Sequence, residues 1–372
     1  MTTNPDPDLM RSALQRIATG PTMSKDLSRE ETRRAMRQLL DGSADPVQAG
    51  IFLIALRMKR ETDDELAGIL DAIREGLPER RLGIDRLTVL VDPYDGYLRG
   101  VPVAPFLPAT LAACGLRTLT HGVRSMGPKF GATHRQVLEA AGLDANLSLD
   151  EAARRLESAD VGWAHVDQAT LAPELAALGE LRTRIVKRPC LTTVEVAVNP
   201  FVPREGSDLV TGYVHKGYPP IYARLAAAGG FDTATIVRGV EGGVVPSLSQ
   251  SARYFRGVGD GEPEQVDIEP GSLGIVREER AVPLPAELAE RAEARVRSVS
   301  EEGDGFAEAL AAEAVAAGRA ALDGEPGPAR DSLVYAGAVV LASLERAGSL
   351  GEGAERVRAA LDDGSARERF GA

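Results

Sequence analysis

Apolar positions recur at helical spacing through the first eighty residues, and each run opens on a start signal. Ser28-Arg-Glu-Glu31 is a capping box ahead of a run that ends near Asp41-Gly42. Asp45-Pro46 supplies an N-cap followed by proline at the first helical position, and Val47 to Arg60 behind it is strongly apolar. Thr62-Asp-Asp-Glu65 is a second capping box and opens a helix to about Gly76. Short loops join these runs, which predicts a compact helical domain over residues 1–82. A helix near 168–183 is expected to join it.

The pattern then changes to short apolar runs bounded by turn residues. Leu87–Val91, Arg117–Thr120, Val161–Ala164, Leu209–Val214 and Thr233–Val237 read as buried strands. Helical runs separate them: Pro105–Ala113, Ala152–Ser158 behind the capping box Ser148-Leu-Asp-Glu151, Pro173–Leu181 and Pro220–Ala228. Strands alternating with helices predict an α/β domain over 83–372, a mostly parallel sheet flanked by helices. The polar, turn-rich stretch from Gly257 to Glu264 reads as an insertion or a hairpin. Helices are expected at Pro285–Arg297, Phe306–Asp323, Asp331–Ala347 and Gly353–Asp362.

Composition narrows the class. The 372 residues carry a formal net charge of -12, which argues against a general nucleic-acid coat, though a local basic groove stays open. No apolar run approaches the roughly 20 residues of a membrane span. The start, Met-Thr-Thr-Asn-Pro-Asp-Pro-Asp, is polar and unlike a secretory signal. Cys114 and Cys190 give neither a disulfide framework nor metal-ligand spacing. Cytoplasmic residence without membrane association is the expectation.

Against this acidic background the segment Thr120 to Gly142 stands out. It opens as a glycine-punctuated loop, closes as an amphipathic helix, and holds no acid between Arg117 and Leu138. His121, Arg124, Ser125, Lys129, His134 and Arg135 lie in it. A basic loop feeding a helix N-terminus suits an anion, because backbone N–H groups and the helix dipole point at the ligand. Two further acid-free windows carry Arg182, Lys187 and Arg188, and His215 and Lys216. Their expected convergence is one anion pocket; the competing reading is three ordinary solvated faces.

Loops after predicted strands supply the other candidates. Asp92 and Asp95, in Asp92-Pro-Tyr-Asp-Gly96, suit either a magnesium ion or a sugar hydroxyl, or simply make turn hydrogen bonds. Arg238 and Glu241 follow another strand and either contact ligand or pair with each other. His215 suits a general acid or base, a phosphate donor, or a hydrogen-bonded structural role. His165 reads as structural. There is no nucleophile elbow, Walker loop, zinc cluster or dinucleotide fingerprint. No residue is assigned a catalytic role, and no metal site is assigned.

Several segments, taken in order, resemble anthranilate phosphoribosyltransferases. The run Gln48 to Thr62 is similar to that family's N-terminal helices. His121-Gly-Val-Arg-Ser125 through Val137-Leu-Glu-Ala-Ala-Gly142 resembles its His-Gly-Asn-Arg-Ser and Leu-Glu-Ala-Leu-Gly element. Asn199-Pro200 matches its Asn-Pro, and Arg238-Gly-Val-Glu-Gly242 its His-Gly-x-Asp-Gly. Order and spacing hold from about Leu27 to Ser247.

The departures are chemically specific. The family's donor loop, Gly-Thr-Gly-Gly-Asp, reads Asp92-Pro-Tyr-Asp-Gly96 here. Its Asn-x-Ser-Thr phosphate segment reads Pro102-Val-Ala-Pro105, its acceptor-contacting Asn is Val123, and its Ser-Ser pair is Gly127-Pro128. Its magnesium-binding Asp-Glu pair falls on Val244-Val245, so magnesium is an uncertain cofactor and no other is indicated. Lys129 and Gly131 persist, and the acceptor-side Arg falls near Arg182. The resemblance implies a divergent member, homodimeric through its helical domain, holding a small phosphorylated or carboxylated ligand between two domains. Glycosyl or phosphoribosyl transfer with altered substrates is the leading expectation. The alternative is a non-catalytic nucleic-acid or nucleotide-binding module, and a third option is a ligand-sensing relic of the fold.

Overall fold

The computed structural model describes residues 7–20, 22–297 and 303–372. The polar start, Met1 to Asp6, lies outside the described residues. Helices Pro7–Ile17, Arg29–Leu40, Pro46–Lys59 and Asp63–Glu75 form the N-terminal unit. Ser28 and Thr62 make the reciprocal capping-box bonds with Glu31 and Glu65, and Asp45 caps Val47 and Gln48. Glu65 does more than cap. Its buried carboxylate also accepts from the Leu27 N–H and pairs with Lys59 at 2.8 Å, tying three segments together.

Nine strands occur among the described residues: β1 (Arg80–Arg81), β2 (Arg86–Val91), β3 (Thr118–Gly122), β4 (Trp163–Asp167), β5 (Phe201–Val202), β6 (Gly206–Gly212), β7 (Thr233–Val237), β8 (Ala252–Val258) and β9 (Glu264–Ile268). β1 and β5 form a small parallel pair. The other seven make one sheet in the order β4-β3-β2-β6-β7-β8-β9. The first five are parallel, and β8 and β9 add antiparallel strands at one edge. The polar stretch from Gly257 to Glu264 is therefore the turn of a hairpin.

Alternation along the strands feeds two cores. On β2, Leu87, Val89 and Val91 face the core shared with the N-terminal helices, while Leu90 faces the opposite layer. That second layer is built from Leu107–Ala113, Phe306–Leu322, Pro328–Ser343 and Leu350–Asp362. The sheet is thus covered on both faces.

Three local expectations change. The helix expected near 168–183 is three short turns, Gln168–Leu171, Pro173–Ala176 and Gly179–Ile185. Ala172, immediately before Pro173, is forced out of the helical region, which breaks the run. Arg37 pairs with Glu174 at 2.6 Å, joining these turns to the N-terminal helices. The strand expected at Val161 starts at Trp163, because Gly162 adopts φ +75°. A last helix, Ser365–Gly371, adds to those expected; its Phe370 stacks on Trp163 with ring centroids 5.9 Å apart.

Strand order reverses at β2. The chain runs outward from β2 to β3 and β4, then returns to β6 and proceeds the other way to β7. Such a reversal opens a crevice at the carboxyl ends of β2 and β6.

Candidate functional site

A cleft of about 240 Å³ lies at that crevice. The loop after β2 supplies Asp92, Tyr94 and Asp95; the end of β6 and the following turn supply Tyr213, His215 and Tyr218. Glu241 comes from the loop after β7, and Arg188, Thr192 and Glu195 from the segment behind the short helical turns. Arg57 reaches in from the helix Pro46–Lys59, so the N-terminal unit forms one wall.

Two loops are laced together at its floor. Tyr97 and Ala132 exchange backbone hydrogen bonds at 2.9 and 3.0 Å, and the Gly131 N–H donates to the Asp95 carbonyl at 2.9 Å. Gly96 has φ +74°, and a Cβ there would collide with the Gly131 carbonyl. Only glycine allows this approach. The lacing brings Lys129 to the Asp92–Gly96 loop.

Asp92 is saturated with hydrogen bonds. Its carboxylate accepts from the Tyr97 hydroxyl at 2.9 Å and the Val244 N–H at 2.9 Å, and meets His134 Nε2 at 2.8 Å. His134 and Val244 are distant along the chain and Tyr97 is five residues on, so these are not the tight turn bonds considered from the sequence. Burial and the neighbouring Asp92 charge raise the Tyr97 hydroxyl well above its ordinary pKa. Asp95 sits between two cations: Arg188 Nε at 2.9 Å and Lys129 Nζ at 3.4 Å. Glu241 has φ 54°, an uncommon conformation for a residue with a Cβ. It delivers its carboxylate to the Leu98 N–H at 3.1 Å and the Arg99 N–H at 2.7 Å, with Lys129 at 3.7 Å.

The expectation that three basic windows converge needs correction. Only Lys129 and Arg188 meet, and they meet on Asp95. Arg182 is buried and bidentate to Glu195, at 2.6 and 2.9 Å. Arg124 is exposed and faces Glu139 and Glu308; Arg135 binds Glu139 and Asp167. Arg124, Arg135, Arg182 and Arg188 lie in stretches free of acid, yet acids outside those stretches pair with each of them. Lys187 and Lys216 are exposed beside Arg188 and His215, and Ser125 is half-buried in the loop before Lys129.

Other assignments also shift. Arg238 is exposed, and no ion pair joins it to Glu241 among the described residues. His215 is exposed, with no side-chain hydrogen bond among the described residues and its ring 6.2 Å from that of Tyr218. His121 is buried, and its Nδ1 lies 2.6 Å from the Tyr94 hydroxyl. Burial pushes its pKa down to about 3, so the ring is neutral near pH 7. His165 is buried against the Thr120 hydroxyl at 2.9 Å, which is a structural role.

The aromatic walls escaped sequence reasoning. Four of the seven tyrosines, Tyr94, Tyr213, Tyr218 and Tyr222, line the cleft. Arg57 lies over the Tyr218 ring at 5.6 Å and donates to Thr193 at 3.2 Å. The available signal was the recurrence of tyrosine just past predicted strand ends.

Comparison with known proteins bears on this geometry. Residues 11–76 match the helical bundle domain of a glycosyl transferase family. Anthranilate phosphoribosyltransferase of Anaeromyxobacter sp. strain K is 26% identical over 366 residues, covering 97% of each chain. Over nearly its whole length the chain is similar to anthranilate phosphoribosyltransferases. An uncharacterized protein of Aquifex aeolicus is 29% identical over 268 residues, covering 72% of this chain and 79% of its own. Among solved structures, the family's Thermus thermophilus member superposes with a TM-score of 0.72 at 22% identity, covering 98% of this chain and 97% of that one. The Saccharomyces cerevisiae member, in complex with phosphoribosyl pyrophosphate and magnesium, gives 0.71 at 15% identity, covering 98% and 97%. These likenesses establish the phosphoribosyltransferase-type fold, a helical bundle with a larger α/β domain and a mostly parallel sheet. No helix among the described residues is long and apolar enough to cross a membrane.

Magnesium with a pyrophosphate is the group this family implies, and the residues present do not fit it. Asp92, Asp95 and Glu241 are each held by donors or cations already. Val244, in the register of the acidic pair, is fully buried and apolar. Pro93 has no N–H to offer a phosphate. Hard cations need free oxygen ligands.

Proposed function

We propose that this protein binds a small ligand with a planar ring and one anionic group in the cleft between its helical unit and the sheet, as a divergent phosphoribosyltransferase-like protein. If it turns over, the reaction is glycosyl or phosphoribosyl transfer with altered substrates. One observation carries the reading: Asp95, clamped by Lys129 and Arg188, occupies the loop where the family holds a pyrophosphate. Both cations are committed to that carboxylate, so they do not form the free pair that would cradle a polyphosphate. The tyrosine walls suit a ring, since offset or edge-on aromatic contacts add to area burial. Arg57 and Arg188 suit a single carboxylate or phosphate.

The test is a thermal-shift screen of nucleosides, nucleoside monophosphates and aromatic carboxylates. A ligand at 100 times its dissociation constant stabilises by about 2.7 kcal/mol. Hits should weaken about tenfold or more in Arg188→Ala and Tyr218→Ala. Hits indifferent to both changes, or no hit in these classes, would remove the reading.

Assembly as a homodimer belongs to the same proposal. Val47, Ile51 and Met58 are exposed on one face of the helix Pro46–Lys59, with Met58 at 74%. An apolar face of this kind suits a second copy of the chain. Sedimentation should give a dimer that Ile51→Arg converts to monomer; a monomeric unaltered chain would contradict it. The alternative, nucleic-acid or nucleotide binding, draws on the exposed Lys187, His215 and Lys216 beside the cleft.

A further inference from the structure

A second concavity, of about 560 Å³, lies at the opposite end of the sheet, where β2, β3 and β6 begin. Five arginines line it against three acids, in a chain whose net charge is -12. Two of the five are neutralised. Arg86 binds Asp208 at 2.7 Å and Asp232 at 3.1 Å, and Arg204 faces Asp85 at 3.5 Å.

The other three, Arg117, Arg346 and Arg356, have no carboxylate at ion-pair distance among the described residues. Arg117 donates to the Ser158 carbonyl. Arg356 donates to the Cys114 carbonyl at 2.7 Å and to the Arg346 carbonyl. The Arg346 side chain is exposed at the rim. Arg369 adds a further positive charge behind Arg117; burial and this like charge lower the Arg117 pKa. Carbonyl bonds orient guanidinium groups without cancelling their charge. The result is a half-buried cationic cup, with Arg86 on β2, Arg356 on the helix Leu350–Asp362, and Arg117, Arg204 and Arg346 on the connections beside them.

We propose that this cup is a second binding site, for a compact phosphate or pyrophosphate group carried on a small molecule. Guanidinium forks match phosphate oxygens in geometry, and unlike an ammonium they are weakly hydrated. The volume falls in the range of small-molecule sites, roughly 300–1,000 Å³. The site lies beyond the sheet from the cleft, so its occupant does not take part in chemistry there. It is a place for an anionic effector or a tethering group.

Inorganic pyrophosphate is the probe. It is titrated calorimetrically into the full chain at constant ionic strength near physiological, about 0.15 M. Saturable binding is expected, weakened about 10- to 100-fold by Arg346→Glu and by Arg117→Gln. Arg346 is exposed, so its substitution leaves the fold intact, and a thermal melt checks this. Arg188→Ala, in the cleft, should leave pyrophosphate affinity unchanged. The proposal is overturned if pyrophosphate does not bind, if the two cup variants bind it as well as the unaltered chain, or if Arg188→Ala abolishes binding. It is also overturned if a short single-stranded oligonucleotide binds tighter than pyrophosphate through Arg346, which would make the cup part of a nucleic-acid track.

Discussion

Arg182→Ala should destabilise this protein strongly, and the size of the effect follows from the buried pair it breaks. The Arg182 and Glu195 side chains are 3% and 1% exposed, bonded at 2.6 and 2.9 Å. Gln168 adds a bond to the same carboxylate at 3.3 Å. Removing the guanidinium strands a buried carboxylate with only that amide for support. Breaking a buried pair in this way costs about 3–5 kcal/mol. Spread over 372 residues, with an unfolding entropy of roughly 2.1 cal/mol/K per residue, that lowers Tm by about 4–6 °C. Replacing both partners, as Arg182→Met with Glu195→Leu, should recover most of the loss, because the uncompensated charge is then gone. The assay is urea unfolding of the two variants beside the unaltered chain. An unchanged midpoint for Arg182→Ala would refute the structural role and return Arg182 to the group of ligand-binding candidates.

Other outcomes follow from the same structure. His121 has its folded pKa lowered from 6.5 to about 3, so the folded state binds fewer protons than the unfolded chain between those values. Stability is then complete above pH 6.5 and falls as pH drops, by about 2 kcal/mol at pH 5 from this group alone; urea midpoints should show the fall, and His121→Gln should flatten it. Thr133→Ala removes a capping box on the helix His134–Ala140 and should cost about 1 kcal/mol in the same measurement, with no loss indicating that the helix is held by Asp92–His134 instead. Short oligonucleotides should bind weakly at physiological salt; sub-micromolar affinity with a log–log salt slope steeper than about -4 would put the nucleic-acid alternative first.

Much of the fold is legible because its signals are local. The capping boxes at Ser28, Thr62 and Ser148 mark helix starts that the structure reproduces. The box at Thr133 and Gln136 was hidden inside a segment read for its charge. Site chemistry is less legible because its partners are distant. The separation of 93 positions between Asp95 and Arg188 makes their pairing invisible to any window along the chain. The acid that cancels Arg182 sits 13 residues on, just past its window's end. Counting charge by segment therefore overstated the free positive charge of the cleft. It also missed the tyrosines, which come from three separate elements. The substitutions at the donor loop and at Val244-Val245 were readable, since each changes residue type outright.

By the resemblance, Asp95 falls in the register of the family's donor loop and Val244 in that of its magnesium-binding pair, and the proposed function depends on that replacement. Loss of anthranilate fluorescence, followed with phosphoribosyl pyrophosphate and magnesium in excess, probes it without an intermediary. No enzyme-dependent decay is expected over hours at micromolar protein. Turnover of about 1 per second, within the ordinary range of enzymes, would contradict the replacement.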